Sequence, residues 1–317
     1  MALRHHIAIC LLLCIAVSCG PSQKKAEALK SREFPLVQVP AMLDQEQRLD
    51  YILDHFWDAF TAPSAFLCDS AHIAGVASAD VEQAFANYSV FLQQVPLNRA
   101  QACMKKLSDR IIACQSADTT SNILDGFGGI VERYLYDPNS PMRDEDIYTA
   151  YARAMAGCEL RTEAERQKYA QQAQLSSLNA RGSVAADFSF CNSVGTVRTL
   201  HSINSDYILL FFSNPGCEAC QEIIGELQYP MINQMIFDGR LAVVNVYIDD
   251  DIQQWMAYQS GYPGNWFSGY DNNHIIRDDE LYNVRAIPSL YLLGPNKRVI
   301  LKDAPLDRVL GTLENLF

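Results

Sequence analysis

Apolar residues recur every three or four positions through the first half of the chain, which is the period of a helix that buries one face. Five such stripes occupy residues 49–60, 81–92, 100–111, 123–134 and 147–155. Capping-box patterns stand before the first stripe, at Asp44 with Gln47, and before a further polar helix, at Thr162 with Glu165. The pattern predicts an all-α domain over residues 33–178. No catalytic constellation is recognisable in that domain.

The second half of the chain changes to short apolar runs, which are typical of strands. Residues 208–212 are rich in aromatics, and residues 241–248 are almost continuously apolar, as in a strand that is covered on both faces. Gly195 predicts an early hairpin, and the runs 290–293 and 299–301 predict a later one before an amphipathic helix at 306–313. Residues 179–317 are therefore expected to form an α/β domain with a central mixed sheet flanked by helices.

The connections within this second domain also carry predictions. Three consecutive acids, residues 249–251, follow a predicted strand, and we favour a helix N-cap there over a cation site. Residues 261–279 are rich in glycine and aromatics and are expected to be a long loop. Such a loop would either line a substrate groove or only pack against the domain. Residues 279–283 are expected to form a short helix.

The candidate chemistry lies directly after the run at 208–212. Residues 213–216 have turn chemistry, and Cys217 and Cys220 then open a segment with helical spacing. Cys217 is therefore expected near a helix N-terminus, where unpaired N–H groups and the helix dipole stabilise an anion. The thiolate is the nucleophile of disulfide exchange, so this position favours a reactive Cys217.

This stretch resembles the active site of the thioredoxin superfamily. A second element supports the resemblance, because Ile287 and Pro288 precede a strand in the place where that superfamily has a cis proline beside the two cysteines. The whole chain resembles membrane-tethered bacterial thioredoxin-like lipoproteins with an N-terminal helical domain, of the Bacteroidetes type. The thioredoxin-like part of the resemblance covers roughly residues 179–317. The helical segment of such proteins has no agreed activity, and it could bind a client, dimerise or act as a spacer.

The resemblance implies a thiol–disulfide oxidoreductase that needs no cofactor and no metal. In that function Cys217 attacks a substrate disulfide and Cys220 resolves the mixed disulfide. Pro215 and Gly216 shape the turn. Ile287 offers a backbone edge to the substrate chain, and Pro288 offers no N–H. The implied partners are a disulfide-containing client protein and a membrane-bound electron donor.

The sequence departs from the family at two positions around the cysteines. The usual tryptophan before the first cysteine is Gly216, and the buried acid of cytosolic thioredoxins is Phe211. The proton acceptor for Cys220 is therefore not identified, although Glu218 or a residue of the 261–279 insertion could serve. Glu218 should raise the pKa of Cys217 by like-charge repulsion, which predicts a reductant rather than a strong oxidant.

Three alternatives to the oxidoreductase stay open. The main one is a binding lipoprotein that uses the thioredoxin-like domain as a scaffold, with a structural Cys217–Cys220 disulfide. A peroxidase would usually have threonine where this chain has Asn214. Copper delivery would need more ligands than the two cysteines and His274.

The first residues have the pattern of an export signal. Residues 1–19 contain a basic start and an apolar core of 11 residues, 7–17, which is too short to span a bilayer. The sequence ending at Cys19 resembles a lipobox, so we expect a lipid on Cys19, a polar tether over residues 20–32 and a periplasmic, membrane-anchored protein. A plain signal peptide cut near Ser18, or an uncleaved short anchor, is the alternative.

Charge narrows the choice of partners. The net charge is −12 and the isoelectric point is about 4.9, which argues against nucleic acid and against adhesion to anionic lipid. Five cysteines lie outside both the predicted signal peptide and the Cys217–Cys220 pair, and the sequence does not tell which of them form disulfides. They are Cys68, Cys103, Cys114, Cys158 and Cys191.

Overall fold

The computed structural model describes residues 30–62 and 66–316. Within the described residues, the helical domain contains six α-helices. They are α1 (Gln45–His55), α2 (Ser78–Leu92), α3 (Leu97–Ala117), α4 (Ile123–Val131), α5 (Glu145–Ala156) and α6 (Glu163–Leu175). A single π-helical turn, Glu132–Tyr136, continues α4. The predicted all-α character is confirmed, apart from one two-stranded hairpin.

That hairpin lies between α1 and α2 and corrects the prediction of helices alone. Its strands are β1 (His72–Ile73) and β2 (Val76–Ala77), which pair antiparallel through a turn at Gly75. Gly75 has a φ of +80°, and a Cβ there would lie 2.8 Å from Phe66. The strands are two residues long, which is too short to leave a periodic pattern in the sequence.

Both capping boxes form as predicted. The Asp44 carboxylate accepts from the Gln47 backbone N–H at the start of α1, and the Gln47 side chain accepts from the Asp44 N–H. Thr162 and Glu165 exchange the same pair of hydrogen bonds at the start of α6. Each box satisfies N–H groups that a helix start leaves unpaired.

An aromatic cluster around Trp57 forms the centre of the helical domain. The indole ring is 3% exposed and makes edge-on contacts with Tyr88 and Phe127, at centroid distances of 5.6 Å and 5.0 Å. Arg32 donates hydrogen bonds to the carbonyls of Ala59, Phe60 and Ala74, which ties the beginning of the described chain to this domain.

The second domain contains one seven-stranded sheet with the order β4-β3-β7-β6-β5-β8-β9. Its strands are β3 (Ser189–Cys191), β4 (Val197–Thr199), β5 (Tyr207–Phe212), β6 (Leu241–Tyr247), β7 (Phe267–Tyr270), β8 (Ser289–Leu293) and β9 (Val299–Leu301). β5 runs parallel to β6 and antiparallel to β8. The central strands are apolar throughout because both faces of the sheet are covered.

Helices cover the faces of this sheet. They are α7 (Glu218–Glu226), α8 (Pro230–Phe237), α9 (Ile252–Tyr258), α10 (Ile275–Asp278) and α11 (Leu306–Leu316). One face packs against buried residues of α7, α8, α9 and α11, and the other packs against segments that include Phe188 and Ile276. The predicted fold class, an α/β domain with a mixed sheet and flanking helices, is confirmed.

The segment predicted as a loop, residues 261–279, contains a strand and a short helix, so the prediction of a loop throughout was wrong. It contains β7, which pairs parallel with β6 and touches β3, and it contains α10. The short helix expected at 279–283 lies four residues earlier, as α10. The acids at 249–251 behave as predicted for a cap, because Asp251 accepts from the Gln254 N–H at the start of α9.

Candidate functional site

The two cysteines of the C-x-x-C pair lie at the carboxyl end of the central strand β5. β5 ends at Phe212, the chain turns over four residues, and α7 begins at Glu218. Cys217 and Cys220 form a disulfide, with their Cα atoms 5.2 Å apart. Cys217 is partly exposed, whereas Cys220 is 0% exposed. An approaching thiol or disulfide can therefore reach the first sulfur and not the second.

Cys217 is the N-cap residue of α7. Its Sγ accepts a hydrogen bond from the Cys220 backbone N–H at 3.2 Å. The first turn of a helix presents unpaired N–H groups and the positive end of the dipole. In the reduced protein the same groups would stabilise a Cys217 thiolate, which lowers the pKa of a thiol and increases the fraction that reacts.

The turn before Cys217 leaves its surroundings open. Gly216 has a φ of +74°, a conformation that favours glycine. A Cβ at this position would meet no atom within 4 Å. Pro215 precedes Gly216 and is partly buried.

Ile287 and Pro288 stand beside this turn. The bond between them is cis. Ser289, the first residue of β8, pairs with Phe212, the last residue of β5. Both Ile287 and Pro288 are partly exposed. The sheet register therefore brings the residues predicted from distant parts of the sequence to one edge of the sheet.

Acidic side chains lie near the turn that leads to Cys217. Glu218 directly follows Cys217 and is exposed. Asn214 donates to Asp249 at 2.5 Å, and Asp249 pairs with Arg277 at 2.9 Å. The neighbouring Asp250 has a side chain that is 88% exposed. We call Glu218, Asp249 and Asp250 the acidic rim.

A buried polar cluster lies next to the turn, and sequence reasoning missed it. The Ser213 hydroxyl donates to Asn245 Oδ1 at 2.6 Å and lies 3.3 Å from the Tyr262 hydroxyl oxygen. Burial raises the pKa of Tyr262, so its hydroxyl stays protonated at neutral pH. Asn245 interrupts the apolar sequence of β6 and Ser213 directly follows β5, and these positions were a signal that could have revealed them. Tyr262 comes from the insertion.

The other cysteines of the described chain are free thiols. Cys103, Cys158 and Cys191 are buried. Burial raises the pKa of Cys103 and Cys114, which makes both weak nucleophiles at neutral pH. Their surroundings contrast with those of Cys217 at its helix N-terminus.

The predicted signal peptide, the predicted lipid site Cys19 and most of the predicted tether lie outside the described residues. Among residues 30–62 and 66–316, no helix combines the length and the apolar character that crossing a membrane requires.

Two family models match the chain. Residues 17–179 match a domain of unknown function, DUF5106, and residues 204–299 match a family described as thioredoxin-like. The first match covers the helical domain, and the second covers the sheet from before β5 to β9. No curated protein matches the chain.

Solved structures of proteins from Bacteroides species resemble the chain to different extents. A thioredoxin-like protein from Bacteroides caccae is 34% identical with a TM-score of 0.78, and the match covers 89% of this chain and 98% of that one. The C-terminal domain of an uncharacterized Bacteroides fragilis protein is 39% identical with a TM-score of 0.42, covering 43% and 98%. The thioredoxin domain of a thiol-disulfide oxidoreductase from Bacteroides vulgatus is 22% identical with a TM-score of 0.39, covering 43% and 97%.

Of these three structures, the one from Bacteroides caccae matches across both domains, at an identity that establishes common ancestry. Its similarity agrees with the disulfide at the end of β5 and with the two family models. The chain therefore belongs to the thioredoxin superfamily, as a Bacteroidetes-type member in which a DUF5106 helical domain precedes the thioredoxin-like domain.

Proposed function

We propose that this protein is a thiol–disulfide oxidoreductase that reduces disulfides in client proteins. The observation that carries the proposal is the pairing of a partly exposed Cys217 with a buried Cys220 at the N-terminus of α7. A disulfide that served only as a structural brace would not need one sulfur at the surface beside a helix N-terminus.

The reaction starts from the reduced protein. The Cys217 thiolate attacks one sulfur of the client disulfide, the client's S–S bond breaks, and the other client sulfur leaves as a thiolate that takes up a proton. Cys220 then loses its proton and attacks Cys217 Sγ, which breaks the mixed disulfide. The client has gained two electrons and two protons, and the protein holds the Cys217–Cys220 disulfide.

Each turnover leaves the protein oxidised, so an electron donor must reduce it again. We propose a membrane-bound dithiol donor, because the predicted lipid on Cys19 would hold the protein at the periplasmic face of a membrane. The net charge of −12 supports protein partners over nucleic acid. No cofactor enters this cycle.

The test is the redox equilibrium of the Cys217–Cys220 pair. The chain from residue 24 onward is equilibrated in graded thiol/disulfide buffers, alkylated and weighed by mass spectrometry. A reversible two-electron transition near thioredoxin-like potentials, about −270 mV, is expected for a reductase. Cys220→Ser should then trap clients as mixed disulfides, and Cys217→Ser, its matched control, should trap none.

The opposite result points to the scaffold alternative. If the pair stays oxidised under all but the strongest reductant, or if Cys217 never reacts with the alkylating reagent, the disulfide is structural. A strongly oxidising potential would instead contradict the assignment as a reductant while leaving thiol exchange in place.

We propose separately that a lipid on Cys19 anchors the protein to a membrane, and this proposal has its own test. Cys19→Ala should move the protein out of the membrane fraction, and mass spectrometry of the native protein should find a diacylglycerol-type mass on the peptide that begins with Cys19. Cys14→Ala, inside the apolar core, is the control and should leave the protein in the membrane fraction. An unmodified native N-terminal peptide would contradict lipid anchoring.

A further inference from the structure

Glu145 belongs to the helical domain, yet three side chains of the thioredoxin-like domain enclose its carboxylate. Oε1 pairs with Arg285 Nε at 2.6 Å and accepts from Asn283 Nδ2 at 2.6 Å. Oε2 lies 2.9 Å from Lys302 Nζ. The Glu145 side chain is 1% exposed. Asn283 and Arg285 begin the stretch that leads to Pro288, and we call residues 283–289 the proline segment.

Asp303 holds the other end of the proline segment. Its Oδ1 accepts from Ser289 Oγ at 2.8 Å, and its Oδ2 accepts from Arg285 Nη2 at 3.2 Å. The helical domain reaches this residue too, because Arg143 Nε donates to the Asp303 carbonyl at 2.8 Å. Three residues of the proline segment are therefore fixed by two buried carboxylates, and one of these carboxylates comes from the helical domain.

Further ion pairs fix the helical domain against the sheet. Arg181 binds Asp144 at 2.7 Å and Asp146 at 2.9 Å, and Arg308 lies 3.2 Å from Asp144. The Arg285 guanidinium also lies over the Tyr136 ring, 4.3 Å from its centroid. The charged side chains at this contact form what we call the interdomain charge cluster. Its members are Arg143, Asp144, Glu145, Asp146, Arg181, Arg285, Lys302, Asp303 and Arg308. It leaves the carboxylate of Glu145 little freedom to move relative to β8.

Stability alone does not explain this arrangement. Buried ion pairs repay little more than the cost of removing their charges from water, and apolar residues of similar size would hold two domains together as well. Charged pairs with short distances do give one defined geometry. Here that geometry fixes the proline segment, and Ser289 pairs with Phe212, which leads through the turn to Cys217.

We propose that Glu145 is a positioning residue through which the helical domain sets how client proteins reach Cys217. It holds Asn283 and Arg285, and so holds the backbone at Ile287 in place for a client chain to pair with. The inference rests on the proposed disulfide reductase function. It predicts that the helical domain affects the reduction of polypeptide disulfides, which must dock along the proline segment. A small disulfide needs only Cys217, and its reduction should not depend on Glu145.

The experiment compares two substrates in the reduced full chain from residue 24 onward. Insulin is the polypeptide disulfide, and 5,5′-dithiobis(2-nitrobenzoic acid) is the small one. Rate constants for both are measured for the native protein, Glu145→Gln and Asn283→Ala. Glu82→Gln is the control, because it removes an ion pair with Arg133 in which neither side chain belongs to the interdomain charge cluster.

We expect the ratio of the two rate constants, insulin over small disulfide, to fall at least tenfold in Glu145→Gln and Asn283→Ala. Misplacing a docking group by about 1 Å can cost a hundredfold in rate, which makes a tenfold effect readily measurable. Glu82→Gln should keep the native ratio. Near-UV circular dichroism checks the fold. Asn283→Ala leaves every charge of the cluster paired, so it decides the question if Glu145→Gln does not fold.

The outcomes separate the two proposals. If the native protein reduces both substrates and both variants keep its ratio, the positioning role is wrong and the reductase function stands. The positioning role is also wrong if both rate constants fall by the same factor. If the native protein reduces neither substrate, the proposed function fails, and the inference fails with it.

Discussion

Glu218 is the charge nearest in sequence to the sulfur that we expect to react. Glu218→Gln should lower the pKa of Cys217 in the reduced protein, because a neutral side chain no longer repels the thiolate. Two exposed charges about 6 Å apart in water interact by roughly 0.7 kcal/mol, which corresponds to about half a pKa unit. The pH dependence of iodoacetamide alkylation, followed by mass spectrometry, measures the shift.

Glu222 provides the matched control for this prediction. It is exposed on the same helix, one turn further from the N-terminus. Glu222→Gln should shift the pKa of Cys217 by less than Glu218→Gln does, because the charge is more distant. An unchanged pKa in Glu218→Gln would show that Glu218 does not influence the thiolate of Cys217, and a raised pKa would contradict the predicted repulsion.

The pKa of Asp303 in the folded protein predicts how the stability of the protein depends on pH. Burial raises the pKa of Asp303 to about 6, while an aspartate in an unfolded chain titrates near 3.9. The folded protein therefore binds more protons than the unfolded chain between these values, and the free energy of unfolding falls as the pH rises through them. From pH 4 to pH 6.5, the native protein should lose about 2 kcal/mol relative to Asp303→Asn.

Urea unfolding of both proteins at the two pH values measures this difference. A constant difference between native and variant across the window would mean that Arg143 and Arg285 compensate the burial of Asp303 fully. A native protein that gains stability relative to the variant as the pH rises would reverse the sign of the effect.

Single residues show which parts of the site the sequence could reveal. Cys217, Cys220 and Pro288 were predictable because short motifs mark them and because strand and helix patterns surround them. Glu145 was not predictable, since its partners are more than 130 positions away and nothing local distinguishes it from an ordinary acid in the first turn of a helix. Buried long-range ion pairs depend on the packing of two domains, and periodicity does not encode that packing.

The element that changed most between expectation and structure is β7. Its four residues, Phe267–Tyr270, include Gly269, which lowers the strand propensity of so short a run. β7 is stabilised instead by its neighbours in the sheet, because it pairs with β6 on one side and contacts β3 on the other. The insertion therefore extends the sheet, and it also delivers Tyr262 to the polar cluster next to the turn.

Gly269 gives a test of this element. A Cβ at Gly269 would lie 2.6 Å from the Phe190 ring and 2.8 Å from the Cys191 carbonyl oxygen, so the backbone of β3 or β7 would have to move. Gly269→Ala should lower the free energy of unfolding by about 2 kcal/mol, as overpacking typically does. Urea denaturation followed by tryptophan fluorescence measures the change.

Gly264 lies in the same insertion and serves as the control. A Cβ there would meet no atom within 4 Å, so Gly264→Ala should be neutral or slightly stabilising. If Gly269→Ala is as stable as Gly264→Ala, then β7 does not lie against β3 as described.

The charge of the whole molecule is concentrated in the part that carries the site. Between residues 204 and 284 there are twelve acidic residues and two basic ones. One of the two basic residues, Arg277, is already paired with Asp249 in the acidic rim. A field of this sign attracts cations to the exposed sulfur and repels anions.

Reduced protein should therefore react faster with cystamine, a dication, than with glutathione disulfide, an anion. We expect the ratio of rate constants to fall by about tenfold between 10 mM and 500 mM salt, because salt screens charges beyond a few ångströms. Stopped-flow fluorescence measures both rates. Asp250→Asn should reduce the ratio at low salt, and a ratio that does not change with salt would exclude steering by the acidic rim.

At the scale of the whole molecule, the sequence was sufficient for the division into a helical and an α/β domain and for the positions of most strands along the chain. The change of apolar period from three or four residues to continuous short runs carries that information, as the stripe at 81–92 and the run at 241–248 illustrate. The way the domains meet could not be predicted, because the side chains that join them are spread from Arg143 to Arg308.

The interdomain charge cluster has a consequence for the history of the protein. Acids 144–146 of the helical domain pair with four basic residues of the other domain, Arg181, Arg285, Lys302 and Arg308. The charges of the two domains are therefore complementary at this contact. A recombination event that joined this helical domain to a foreign thioredoxin fold would bury acids without counterions. The two domains should therefore be inherited as one unit, and grafting either of them onto another scaffold should require the transfer of both sides of the cluster.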